Sequence, residues 1–245
     1  MKDNFSEKSN LYKQYRPEYP NELLDFLKNT VSNFDRAWDC GTGNGQIARV
    51  ISNSFKEVFA TDISEHQLMN AEKKSNIFYS RQPAEQTNFS ANTFDLIIVG
   101  QAVHWFDFDK FDCEVKRTLK WNGVLAILGY GKLKIDIEID RIIDKLYFDI
   151  LGEYWDKERK YVDENYQTIP FPFEEITCPL FSNKYYWKPI QLLGYLETWS
   201  SVKHFITKNN KNPIDIIRTE LLKNWNENIS KEIDFPILTR VGKAK

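Results

Sequence analysis

The segment Asp39-Cys40-Gly41-Thr42-Gly43-Asn44-Gly45 sets three glycines at alternate positions directly after an aspartate. Glycine has no Cβ, so such a loop can take φ > 0 and let a ligand press against backbone N–H groups. Standing alone, it would read equally well as an ordinary turn between a strand and a helix. It does not stand alone. Glu57 to Thr61 reads as a strand ending at Asp62, about 20 residues beyond the loop, where a carboxylate can accept both hydroxyls of an adenosine ribose. Asp62 could instead cap the next helix, but Ser64 caps it equally well. Loop and acid at this separation favour the ribose reading.

Glycine spacing then separates two cofactor classes. Dinucleotide sites use G-x-G-x-x-G, with the helix start cradling a pyrophosphate. Here Gln46 occupies the position of the last glycine. Asp39 stands close to where an anion would sit; its carboxylate is wrong for a pyrophosphate and suits a ligand carrying an ammonium group. The combination favours S-adenosylmethionine, a zwitterionic sulfonium bearing an adenosine. Asp39 to Gly45 resembles the first motif of the class I S-adenosylmethionine-dependent methyltransferases.

Three further stretches fit that resemblance in order. Gln82-Pro83-Ala84-Glu85-Gln86 looks like the family segment whose Ala-Glu pair flanks the adenine. Phe94 to Phe106, containing Gln101-Ala102-Val103-His104-Trp105, looks like the fourth strand and the loop that faces cofactor and substrate. Leu119 to Ile127 resembles the turn into the fifth strand, with Asn122-Gly123 where the family often has a proline-glycine pair. The resemblance is tight over Asp35 to Gly129 and patchy elsewhere. Gln-Ala-x-His-Trp-Phe, with Tyr15-Arg16-Pro17-Glu18-Tyr19-Pro20 and Tyr195 to Ser200, looks most like the branch containing trans-aconitate methyltransferase. It implies a cofactor set of Asp39, Gly41, Gly43, Gly45, Asp62, Ile63, Ala84, Glu85, Gln101 and Ala102, with Tyr15 and Arg16 from the N-terminal segment.

Methyl transfer is a displacement at carbon by a nucleophile lined up opposite the sulfonium. Alignment alone can lower the barrier by about 7–11 kcal/mol, so no covalent protein nucleophile is required. A carboxylate acceptor is already ionised at neutral pH; a hydroxyl or phenol would gain roughly 10²–10⁴ from a positioned base. His104 is the candidate base, weighed against a residue that fixes the loop by hydrogen bonding. Tyr12, Trp105, Tyr130, Trp155 and Trp199 fall in segments expected above the sheet, where aromatic faces could hold a sulfonium or pack a flat substrate. Trp225 reads as core. Arg16 could pair with the methionine carboxylate or a substrate acid through a bidentate contact, or be an exposed surface arginine. The acceptor is expected to be a small molecule, with a carboxylate favoured by the resemblance and by Arg16. Two alternatives stay open: a nicotinamide oxidoreductase, with a Tyr-x-x-x-Lys at Tyr130 to Lys134, and a non-catalytic S-adenosylmethionine-binding protein.

Composition sets limits. With 245 residues and a formal charge of −2, the chain can build a full core and carries no basic field for nucleic acid. There is no apolar run of membrane-spanning length and no signal-peptide core in Met1 to Glu7, so the cytoplasm is the expected location. Three scattered cysteines and three scattered histidines predict neither disulfide nor metal site.

The elements that must position these residues alternate between strand and helix. The patterns predict a helix over Asn21 to Thr30, strands at Phe34 to Asp39, Glu57 to Thr61, Ile77 to Ser80, the Phe94 stretch and Val124 to Gly129, and helices from Gln46, from Ser64 to about Ser75 and over Asp107 to Leu119. Ile135 to Gly152, Pro189 to Thr198 and Pro213 to Ile229 read as helices, and Phe181 to Trp187 and Asp234 to Val241 as strands. The expected fold is α/β: a doubly wound, mostly parallel, seven-stranded Rossmann-like sheet under a helical cap, with ligands at the carboxyl ends of the strands. One domain over 1–245 is expected, with an N-terminal cap segment (1–33), a cofactor-binding core (34–130) and cap helices with the last strands (131–245). The sequence leaves the oligomeric state open.

Overall fold

The computed structural model describes residues 17–244. Tyr12, Tyr15 and Arg16 lie outside the described residues. Strands β1 (Arg36–Cys40), β2 (Glu57–Asp62), β3 (Ile77–Arg81), β4 (Phe94–Gly100) and β5 (Leu119–Tyr130) run parallel in the order β3-β2-β1-β4-β5. Helices α1 (Asn21–Thr30), α2 (Gln46–Ile51), α3 (Glu65–Met69) and α4 (Phe108–Thr118) flank this half. The order reverses between β1 and β4, and a crevice at such a reversal is where doubly wound sheets bind ligands.

β8 (Lys231–Lys243) returns antiparallel to β5, pairing Tyr130 with Ile237 through Val124 with Lys243. Its outer side is shared end to end: β7 (Phe181–Trp187) pairs with its first half and the short β6 (Glu174–Ile176) with its last residues. The sheet thus has eight strands but is seven positions wide. Its two faces carry separate cores. Ala37, Leu96, Ile98 and Ala126 point into one, Trp38, Ile97, Leu125 and Ile127 into the other, because alternate strand residues face opposite ways.

Several boundaries differ from the pattern reading. α3 stops at Met69 rather than near Ser75, and the Asn70 side-chain amide donates to the His66 carbonyl (2.8 Å), a local bond that competes with the helix. β5 starts five residues early at Leu119; a register shift opposite Phe94 to Leu96 and a left-handed Asn122 (φ 60°) let the strand absorb the Asn-Gly turn. The 135–152 helix is divided: α5 (Ile137–Asp144) passes into a π-helical stretch, Lys145–Ile150, and then a 3₁₀ turn, Gly152–Tyr154. In the remaining cap, α6 (Arg159–Asp163) and α8 (Ser200–Asn209) are helices with no counterpart in the pattern reading; α7 (Pro189–Leu196) and α9 (Ile214–Asn224) were anticipated. α9 ends before Trp225, which is buried and donates from its indole to the Ile229 carbonyl (2.8 Å).

Candidate functional site

The carboxyl ends of β1, β2, β4 and β5 form one rim. After Cys40 the chain turns through Gly41 (φ 71°), Gly43 (φ 57°) and Gly45 (φ 81°), a left-handed conformation at each. At Gly41 a Cβ would also stand 2.7 Å from the Ala102 Cβ, so loop and β4 turn can approach only because that atom is missing. At Gly43 a Cβ would meet nothing within 4 Å: the backbone faces open space, as a ligand-cradling position requires.

Asp39 lies beneath this turn, 1% exposed. Its Oδ2 accepts from the Thr42 hydroxyl (2.5 Å) and the Ala48 N–H (2.8 Å). Its Oδ1 is buried with no hydrogen-bond partner among the described residues. Burial pushes this carboxyl up to about 7; the Thr42 and Ala48 bonds oppose that, and the nearby Asp62 charge adds to it. An unpaired buried carboxylate oxygen is stabilised by a cationic donor and would repel a pyrophosphate.

Asp62, at the tip of β2, reaches the loop directly. Its Oδ2 accepts from the Gly43 N–H (2.8 Å) and its Oδ1 from the Ser64 N–H (2.8 Å), while Ser64 itself caps α3. Ile63 lies between them, half-buried, its carbonyl accepting from Arg81 Nε (3.0 Å). Ala84 is buried, and Glu85 turns toward the β4 loop, accepting from the Asp107 N–H (3.1 Å). Burial raises the Cys40 thiol first, and then the charges of Asp39, Glu85 and Asp62 raise it further. Three acids from three strand ends therefore act on one buried sulfur at the tip of β1.

The β4 turn closes the rim. Gln101 (φ 52°) accepts at Oε1 from the Tyr130 N–H (2.8 Å), tying β4 to β5. Ala102 packs under Gly41. His104 is buried in the 3₁₀ turn Val103–Trp105, its Nδ1 3.2 Å from the Tyr166 hydroxyl and its ring stacked on Tyr166. Trp105 is half-buried with its ring against His104. Tyr130 belongs to the core, its ring edge-on to Phe235. Trp155 and Trp199 sit together in the cap, 5.4 Å apart and joined by Tyr147. Among the described residues no group of three or more His, Cys, Asp or Glu side chains could hold a metal ion, and no helix is long and apolar enough to cross a membrane.

Sequence reasoning missed Thr42, Tyr166, Tyr147 and Arg159. The Thr42 contact is three residues from Asp39 and legible in principle. Tyr166 lies 62 positions from His104, a pairing no periodicity announces.

Comparison with known proteins converges on one family. The model of the methyltransferase domain family matches residues 38–127, from β1 to β5. A Dictyostelium discoideum protein named as a methyltransferase is 35% identical over 251 aligned positions, covering 99% of this chain and 95% of its own. A Saccharomyces cerevisiae relative named as an S-adenosylmethionine-dependent methyltransferase is 26% identical, over 63% of this chain and 58% of its own. A solved structure from Anaeromyxobacter dehalogenans, described as a type II methyltransferase, superposes with a TM-score of 0.86 at 33% identity, covering 94% of this chain and 98% of that one. Likeness of this order along nearly the whole chain, on a sheet whose strand order reverses beside its glycine turn, makes this protein a member of the class I S-adenosylmethionine-dependent methyltransferases.

Proposed function

We propose that the protein transfers the methyl group of S-adenosylmethionine to a small organic acid by in-line displacement, the whole chain working as one unit. The observation carrying this reading is the buried Oδ1 of Asp39, without a hydrogen-bond partner among the described residues, beneath a glycine turn that opens at Gly43. In this reading Asp39 and the turn from Gly41 to Gly45 hold the ammonium end of the cofactor. Asp62, with Ile63 beside it, receives the ribose hydroxyls, since an ionised carboxylate only accepts and this one stands at the tip of β2 beside the glycine turn. Ala84 and Glu85 border the adenine, and Gln101 and Ala102 form the floor. Tyr15 and Arg16 are further cofactor-binding residues in this reading, and Tyr12 with Trp105 acceptor-binding ones. The bound cofactor supplies an electrophilic methyl on sulfur.

Where the reacting group is itself a carboxylate, the nucleophile is already ionised, so the chain contributes alignment and exclusion of water. His104 is then a loop-fixing residue, its Nδ1 engaged by the Tyr166 hydroxyl. The net charge of −2 supports a small-molecule acceptor over a nucleic acid. Calorimetric titration of the full chain tests the cofactor half: S-adenosylmethionine binds in the micromolar range and NADH does not. Labelled-methyl transfer into a metabolite extract, with label recovered in small acids, tests the acceptor half; label found only in nucleic acid or protein would refute it.

A further inference from the structure

The cap contains a cation whose hydrogen-bonding capacity is mostly unspent. Arg159 opens α6, with its side chain 20% exposed. Its Nε–H is shared between the Tyr147 hydroxyl (2.8 Å) and Asp163 Oδ1 (3.3 Å). The guanidinium carbon lies 4.8 Å from the Trp155 ring centroid and 5.4 Å from that of Tyr147. A guanidinium has five N–H donors, four of them on its two η nitrogens. None of those four has a hydrogen-bond partner among the described residues. Asp163 does not fill the fork, because its Oδ1 is already shared between Nε and the Tyr147 hydroxyl (2.6 Å). Tyr147 itself sits in the π-helical stretch, a departure from α geometry that recurs at functional sites.

This cation is connected to the rim. α6 packs on the 3₁₀ turn Val103–Trp105. Tyr161 lies edge-on to Phe108 at 5.0 Å, and the Tyr166 hydroxyl meets His104. A planar fork braced by aromatic faces, partly exposed and with its η nitrogens unengaged among the described residues, is suited to a bidentate carboxylate.

We propose that Arg159 anchors the methyl acceptor through a carboxylate clamped beside Trp155 and Tyr147, and that this carboxylate is not the group methylated. The inference rests on the methyltransferase reading above. A bidentate ion pair engages both oxygens and offsets their charge, leaving a poor nucleophile. The reacting atom must instead lie in line with the sulfonium beside Asp39, at the strand ends, whereas Arg159 hangs from the cap. The acceptor therefore carries an anchoring carboxylate and a second oxygen or nitrogen that takes the methyl group.

The test uses the full chain saturated with S-adenosylhomocysteine, with tryptophan fluorescence as readout and two acid–amide pairs as probes: 4-hydroxybenzoate with its amide, and fumarate with its diamide. The acids bind at least ~30-fold tighter than the amides, the scale for a buried charge pair. Arg159→Gln erases that preference while leaving S-adenosylhomocysteine affinity within about twofold, as for a distant site. Arg159→Lys, which keeps the cation and loses the fork, retains part of the preference. Equal binding of acid and amide by the native protein, or an undiminished preference in either variant, overturns the proposal. Should Arg159→Gln not fold, Arg159→Lys decides. Failure of the native protein to bind S-adenosylhomocysteine overturns the methyltransferase reading instead. Products of labelled-methyl transfer remain anionic on an exchange column; a neutral methyl ester as the product overturns the second half of the proposal.

Discussion

The rim at the strand ends and the cap above it solve different problems with different materials. The rim is built from backbone: three left-handed glycines, the N–H groups of Gly43 and Ser64, and short acids fixed by strand ends. The cap is built from large side chains, with Tyr147, Trp155 and Trp199 packed around Arg159. Backbone geometry tolerates little change, which suits one invariant cofactor. Side-chain clusters can be repacked, which suits acceptor choice. Rim mutations should therefore strike cofactor binding, and cap mutations the acceptor or local stability.

The largest effect is expected from Asp62→Ala. It removes a charged acceptor from the Gly43 and Ser64 amides and should weaken S-adenosylhomocysteine binding by ~30-fold or more in calorimetry, as truncating a hydrogen-bonded charge does. Binding within threefold of the native value would break the contrast. Gly41→Ala comes next, since it meets both a left-handed φ and the Ala102 Cβ. A loss of about 1–3 kcal/mol is expected. At about 2–4 °C per kcal/mol that is a readily measured fall in Tm. Gly152, in the cap, has no positive φ to satisfy and no atom within 4 Å of an added Cβ, so Gly152→Ala should leave Tm nearly unchanged.

Asp39 sharpens the comparison through pH. Its carboxyl is raised from 3.8 to about 7 in the folded protein, so the fold binds the proton more tightly than the unfolded chain does. That contribution is complete below 3.8 and lost as pH rises through 7, so the ligand-free protein should lose stability across this window. Cofactor binding has the opposite slope: a cationic ligand needs the ionised form, so affinity should rise about tenfold per pH unit up to neutrality and then level off. Asp39→Asn should flatten both profiles; an unchanged pH slope in that variant would remove Asp39 from the reading. The smallest effect belongs to the cap. Tyr147→Phe loses its bonds to Arg159 and Asp163, worth about 1–2 kcal/mol of stability, with cofactor affinity untouched.

The rim was legible because its signals are local. The aspartate, glycines and strand-end acid lie within a few dozen residues, each tied to an element whose period is visible, and the α/β parallel half follows from that alternation. α1, β7 and the α2 start fall where the pattern puts them. Misreadings cluster where a local competitor or a distant partner decides. Asn70 ends α3 with its own side chain, and β5 is lengthened by a bulge against β4. α6 and α8 carry too little periodic apolar signal to be read, since α8 buries only Ser201 and Val202.

The amino-acid order alone determined the glycine turn, the acid at the end of β2 and the alternation of strands with helices, because each is fixed by neighbours in the chain and by glycine's freedom at φ > 0. Only the tertiary structure decided that Asp39 keeps one buried oxygen unpaired among the described residues, that Tyr166 meets His104 and that Arg159 stands between Tyr147 and Trp155. Those facts depend on burial and on contacts between residues far apart in sequence. Such contacts arise only once the whole core excludes water and fixes which side chains face one another.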